Sequence, residues 1–237
     1  MGGPTLDAPA TSTVRAVDPH AYRPLLAGRA RGSAVVVILL AITVIAVLGM
    51  RYADQEAAGR LDLTLDTYIR DRFQRDNLIT AGLVSLGNPA PAALLTAVVA
   101  SAAAAARRWA GVVLTLGGTV TAVVITELIL KPLIGRLRYG HLSFPSGHTT
   151  AVCSVAIAAV LMLATARRPG SAVLRLVASL IPVVVAGSVA IALVARHVHY
   201  ATDTLAGCCV AAATVPALAL VIDSLALHAQ SRRSQKN

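Results

Sequence analysis

Six stretches of this chain are too long and too apolar to be single faces of soluble elements. Residues 33–50, 109–130, 149–166, 176–195 and 204–222 each run for about one bilayer thickness, and Glu127 is the one charge within them. Crossing a hydrocarbon core takes about 20 such residues in a helix, because no water is there to satisfy an open backbone. The sixth stretch lies within 78–106, uncharged but interrupted by Gly87-Asn88-Pro89-Ala90-Pro91. Proline ends or kinks a helix, so the span is placed at about 89–106. The expected fold class is therefore all-α, a polytopic membrane protein built as a six-transmembrane-helix bundle. The membrane domain is expected over 33–223, with an N-terminal tail at 1–32 and a C-terminal tail at 224–237.

Composition supports this reading. The chain is 56% apolar and 14% charged with a net charge of +10, and on so apolar a chain that basicity marks membrane topology. Eight aromatic residues with no basic run among them are too few for base stacking, so nucleic acid is not an expected partner. Cys153, Cys208 and Cys209 sit in apolar stretches and read as small packing residues. No cysteine or histidine spacing suits a metal, and no phosphate-cradling glycine loop of the nucleotide-binding kinds is present.

Between the first two spans, Leu61, Leu65, Ile69 and Phe73 recur every four residues among charged ones. That period predicts an amphipathic helix within 57–77, lying on the membrane surface. Six spans place both termini on one side. That side carries twelve basic residues and the other nine, of which four fall in the candidate site and five are offset by acids. The termini are thus expected in the cytoplasm of a cell-membrane protein and the amphipathic helix on the extracytoplasmic face.

Two outward loops hold the least explicable polar groups. Lys131, Arg136 and Arg138 place three cations within eight residues, and guanidinium forks match phosphate oxygens. Pro145-Ser146-Gly147-His148 then opens the fourth span, where backbone N–H groups of Ser146 and Gly147 at a helix start make an anion cradle. In the second loop His199 and Asp203 stand four residues apart, so on a helix the carboxylate can fix the imidazole tautomer.

These residues resemble the type 2 phosphatidic acid phosphatase and vanadium haloperoxidase superfamily, whose pattern is K-x6-R-P, P-S-G-H and S-R-x5-H-x3-D. Lys131 and Arg138 match the first part in spacing, residues 145–148 match the second in full, and His199 with Asp203 ends the third. Tyr139 stands in place of the first motif's proline, and Leu193 in place of the third motif's arginine. Arg196, three residues on, is a candidate substitute. The resemblance implies a metal-independent enzyme without cofactor, in which His199 attacks phosphorus, Asp203 orients it and His148 protonates the leaving group. Lys131, Arg138, Ser146, Gly147 and Arg196 would bind phosphate, with Arg136 and Glu127 behind them.

The implied substrate is a lipid phosphate or pyrophosphate in the same bilayer, with the amphipathic helix bordering or covering the entrance. Nothing in the residues chooses among phosphatidic acid, phosphatidylglycerol phosphate and polyprenyl phosphates, or sets the oligomeric state. A lipid phosphotransferase and a non-catalytic lipid-phosphate binder remain open; a vanadate-dependent peroxidase is disfavoured by the membrane setting. Glu127, four residues before Lys131, reads as its ion-pair partner. His20, His141 and His228 read as solvated, His197 as structural, and Asp223 as an interfacial charge.

Overall fold

The computed structural model describes residues 22–73, 77–166 and 172–235. His20 and the basic residues Arg15, Arg167 and Arg168 lie outside these ranges. The described chain is helical apart from one two-stranded hairpin. In order come α1 (Ala30–Tyr52), α2 (Arg60–Arg72), α3 (Leu78–Leu86), α4 (Pro89–Ala105), α5 (Trp109–Val124), a π-helical turn at Ile125–Leu130, α6 (Lys131–Ile134), β1 (Leu137–Arg138), β2 (His141–Leu142), α7 (Gly147–Ala164), α8 (Ala172–Ala195) and α9 (Ala201–Ser234).

Five helical rods are long and apolar enough to cross a membrane: α1, the continuous Trp109–Ile134 rod, α7, α8 and α9. The pair α3 and α4, bent by 68°, brings the number of candidate spans to six when the two are taken as one. The break falls at Gly87 and Asn88, just before Pro89, where proline at the first turn is tolerated but cannot continue the preceding helix. Residues 78–86, left outside the expected span, are thus helical themselves. The last helix also runs on to Ser234, well past 222, so most of the segment read as a tail is helix.

α7 is the most enclosed span, packed by α5, α8 and α9. Its buried face is mostly small, with Ala151, Cys153, Ser154, Ala156 and Ala158, which lets helix axes approach closely where lipid offers no hydrophobic contrast. Toward the end where α1 starts, Leu25, Leu26, Leu114, Val215 and Ala219 form one core cluster. Asp223 belongs to this end and is fully buried rather than interfacial. It accepts hydrogen bonds from Tyr22 Oη at 2.6 Å and from the amides of Leu25 and Leu26 at 2.8 and 3.0 Å, tying the segment before α1 to α9.

α2 forms where the four-residue period predicts, with its apolar face outward as a helix on a membrane surface presents it. Leu61, Leu65 and Phe73 are exposed, while Asp62 and Asp66 are buried against the starts of α9 and the loop before it. At a membrane surface the apolar face has lipid to meet, so the bundle can take the polar one.

Candidate active site

The hairpin after α6 brings Arg138 to the site. Tyr139 and Gly140 both have positive φ, 49° and 78°, the pair of values a two-residue hairpin of this twist demands. Proline is locked near −65°, so the position occupied by Tyr139 cannot be proline in this turn. β1 and β2 pair Arg138 with His141.

A cavity of about 910 Å³ opens beside the hairpin. Lys131, Arg138, Gly147, His148 and His199 line its polar end, together with Glu127. Ala92, Leu116, Val120 and Val123 from α4 and α5 line the remainder, an apolar wall running into the bundle. Two loops and two span ends far apart in sequence therefore meet at one place. The rings of His148 and His199 lie edge to face with centroids 5.5 Å apart.

Each imidazole has a carbonyl or carboxylate neighbour. His148 Nε2 is 3.1 Å from Asn88 Oδ1 and donates to it, so the break before α4 also orients this ring. His199 Nδ1 lies 3.5 Å from Asp203 Oδ2, an ion-pair separation without a formed hydrogen bond, a looseness common before substrate is bound. Asp203 is fully buried, and its Oδ2 also accepts the Tyr200 amide at 3.2 Å.

Arg138 is buried, yet its Nε and Nη1 have no hydrogen-bond partner. Its nearest carboxylate oxygen, on Asp66, is 4.0 Å from Nη1. Burial raises the Asp66 carboxyl above the usual range, opposed by the Ala201 amide and Arg70. The Tyr200 ring lies between two guanidinium groups, 4.3 Å from Arg136 and 4.0 Å from Arg138, and burial raises its phenol so that it stays neutral.

Lys131 Nζ pairs with Glu127 Oε2 at 2.8 Å across the π-helical turn, the expected i, i+4 partnership. A π turn inserts an extra residue and re-aims the side chains around it. A Cβ at Gly147 would collide with Glu127 Oε1, so glycine is what lets α7 start this close to the pair.

The structure does not gather every expected residue. Ser146 is buried and its amide donates to the Asp203 carbonyl at 3.0 Å, while its hydroxyl caps α7 by accepting from Thr149. Its backbone N–H is thus directed to α9, and Gly147 and His148 supply the first amides of α7 beside the cavity. Arg196 is not among the described residues lining the cavity. Leu193 is fully buried in the cluster with Val152, Cys153 and Val189. His141 and His197, read as solvated and structural, both line the cavity. Among the described residues no group of three or more histidine, cysteine or acidic side chains is placed to hold a metal ion.

Sequence reasoning missed Asn88, Asp62, Asp66 and Thr202. Asn88 had a signal, a polar side chain at a helix start inside an uncharged stretch. The two aspartates, four apart on one helix face, also had one, as the polar side of a helix whose apolar side meets lipid.

Comparison with known proteins bears on the fold and the family. No curated protein sequence matches the chain. The crystal structure of a transmembrane PAP2-type phosphatidylglycerolphosphate phosphatase from Bacillus subtilis aligns with a TM-score of 0.55 at 20% identity, covering 84% of this chain and 96% of that one. The likeness extends to the fold, an all-α multi-pass membrane bundle. The sequence profile of the PAP2 superfamily matches residues 63–225, a range that holds the Lys131–Arg138, Pro145–His148 and His199–Asp203 segments and most of the chain, and the chain belongs to that superfamily.

Proposed function

We propose that the protein is a membrane lipid phosphatase that removes the terminal phosphate of a lipid phosphate or pyrophosphate through a phosphohistidine. The observation that carries this reading is Arg138: a buried guanidinium with two unpartnered N–H groups at the wall of a cavity holding two imidazoles. Buried N–H donors left without an acceptor are costly, and an anion of matching geometry relieves them.

The phosphate sits between Arg138, Lys131 and the first amides of α7, which neutralise its oxygens as charge develops. Asp203 keeps the His199 proton on Nδ1, so Nε2 attacks phosphorus. The phosphorus–oxygen bond to the lipid breaks, and His148, entering as the imidazolium with its Nε2–H on Asn88, gives its Nδ1 proton to the leaving oxygen. Water then attacks the phosphohistidine and loses a proton to His148, releasing phosphate and restoring both rings. The apolar wall from α4 and α5 suits the hydrocarbon chain of a substrate held in the bilayer. The termini lie in the cytoplasm and the site opens at the extracytoplasmic surface of the cell membrane, a reading supported by the basic-residue balance.

A second reading, a site that binds lipid phosphate without hydrolysing it, is favoured by one observation. The position where the superfamily pattern has its third arginine is the buried Leu193, leaving Lys131 and Arg138 as the cationic side chains described on the cavity wall. Phosphate release from a panel of lipid phosphates, measured on purified protein with EDTA and with His199→Ala as control, separates the two. Release by the wild type alone is the expected result; none from any substrate by folded protein selects the binding reading.

A further inference from the structure

Asp62 and Asp66 are the least explicable feature of α2 if that helix is only a surface element. Both are buried, and both reach the start of α9. Asp66 Oδ1 accepts the Ala201 amide at 3.0 Å, and Asp62 Oδ1 accepts the Thr202 amide at 3.1 Å and its hydroxyl at 2.7 Å. Two carboxylates from one helix thus cap the first amides of another, at the positive end of its dipole.

Asp62 has a second partner. Its Oδ2 pairs with Arg136 Nη2, and Arg136 Nη1 donates at 2.7 Å both to Asp203 Oδ1 and to Thr202 Oγ1. Arg136 is fully buried between the rings of Tyr52 and Tyr200, at 4.2 and 4.3 Å. The other oxygen of Asp203 faces His199 Nδ1. The order Asp62, Arg136, Asp203, His199 is therefore an unbroken line of alternating charge ending on the imidazole.

The charge count gives this line a purpose. Arg136 with Asp203 alone is a neutral pair, and the guanidinium would draw the carboxylate's charge away from His199. Asp62 adds a second negative charge on the far side, so the trio carries one net negative charge facing the ring. We propose that Asp62 is a positioning residue for phosphoryl transfer: acting through Arg136, it holds Asp203 against His199 and leaves it the charge that keeps the Nδ1 proton in place and Nε2 nucleophilic. This rests on the hydrolase reading above.

The test is steady-state kinetics on Asp62→Asn, which keeps an acceptor for Thr202 and removes the charge. Wild type and His199→Ala run in the same assay, with inorganic phosphate as product inhibitor. The expected result is a fall in kcat of about 10- to 100-fold, the scale of lost outer-sphere partners, with KM and phosphate inhibition within about twofold because Lys131 and Arg138 are untouched. A kcat per folded molecule equal to wild type overturns the proposal. So does a parallel loosening of KM and phosphate inhibition, which marks a structural role. Should Asp62→Asn fail to fold, Asp62→Ser removes the charge and keeps an oxygen acceptor for Thr202. A lowered kcat at unchanged KM then supports the proposal, and wild-type kinetics overturn it. Absence of turnover by the wild type overturns the hydrolase reading, and the positioning role with it.

Discussion

Arg136 and Arg138 are two residues apart and do opposite things. Arg136 binds two carboxylates through both terminal nitrogens and lies against two aromatic rings, leaving its Nε without a partner, whereas Arg138 keeps Nε and Nη1 unpartnered at the cavity. Replacing each by alanine should separate folding from turnover. Arg136→Ala leaves Asp62 and Asp203 buried without their cation, a loss of about 3–5 kcal/mol, seen as a large drop in Tm of the detergent-purified protein. Arg138→Ala should fold and lose about 100- to 1,000-fold in kcat/KM, the scale of removing one transition-state donor. Arg196→Ala should stay within about threefold of wild type, the scale of a side chain outside the site, because Arg196 is not on the described cavity wall; a loss as large as that of Arg138 would return it to the site. The spacing of Lys131, Arg138, His148, His199 and Asp203 made their meeting legible in the sequence, because a motif names its members by order. It did not make Ser146 legible as a cap or Asn88 as the partner of His148, because those depend on which way a helix start points.

At the scale of elements, spans are legible because lipid demands an unbroken apolar run, and α1, α7, α8 and α9 begin within about four residues of the expected places. The lipid-facing side of α2 was legible, but the partner of its polar side was not. The four-residue period says which residues share a face, and it does not say that Asp62 and Asp66 meet the first amides of α9. Two predictions follow from the outward leucines and inward acids. Leu61→Ser with Leu65→Ser should lower turnover of substrate embedded in vesicles while leaving that of a detergent-solubilised short-chain phosphate unchanged; equal loss in both would place those leucines in the fold instead. Burial raises the Asp66 pKa, so its protonation favours the folded state below the ordinary carboxylate range and that contribution is lost as pH rises through the raised value. Asp66→Asn, neutral throughout, should therefore show a Tm above wild type at pH 7, with the gap closing on acidification; a Tm below wild type at pH 7 would mean that Arg70 outweighs burial.

For the whole molecule, five spans were readable from apolar length, and the sixth expected span is a helix pair bent by 68° whose first half was left unassigned. Sidedness rests on charge balance and has a direct check. Tyr139 at the hairpin tip is 78% exposed, so Tyr139→Cys in intact cells should react with a membrane-impermeant thiol reagent. Protection until the cells are opened would place the site on the cytoplasmic side.

The bond between α2 and the rest has a consequence for biogenesis. Asp62 is synthesised 74 residues before Arg136 and 140 before Thr202. While those 74 residues are made its carboxylate waits without Arg136, and Arg136 in turn waits 67 residues for Asp203. The two ends of the chain therefore lock together only when the last span is in place, so a nascent chain interrupted before then carries unneutralised charges at the membrane, a feature that quality-control proteases can read as incompleteness.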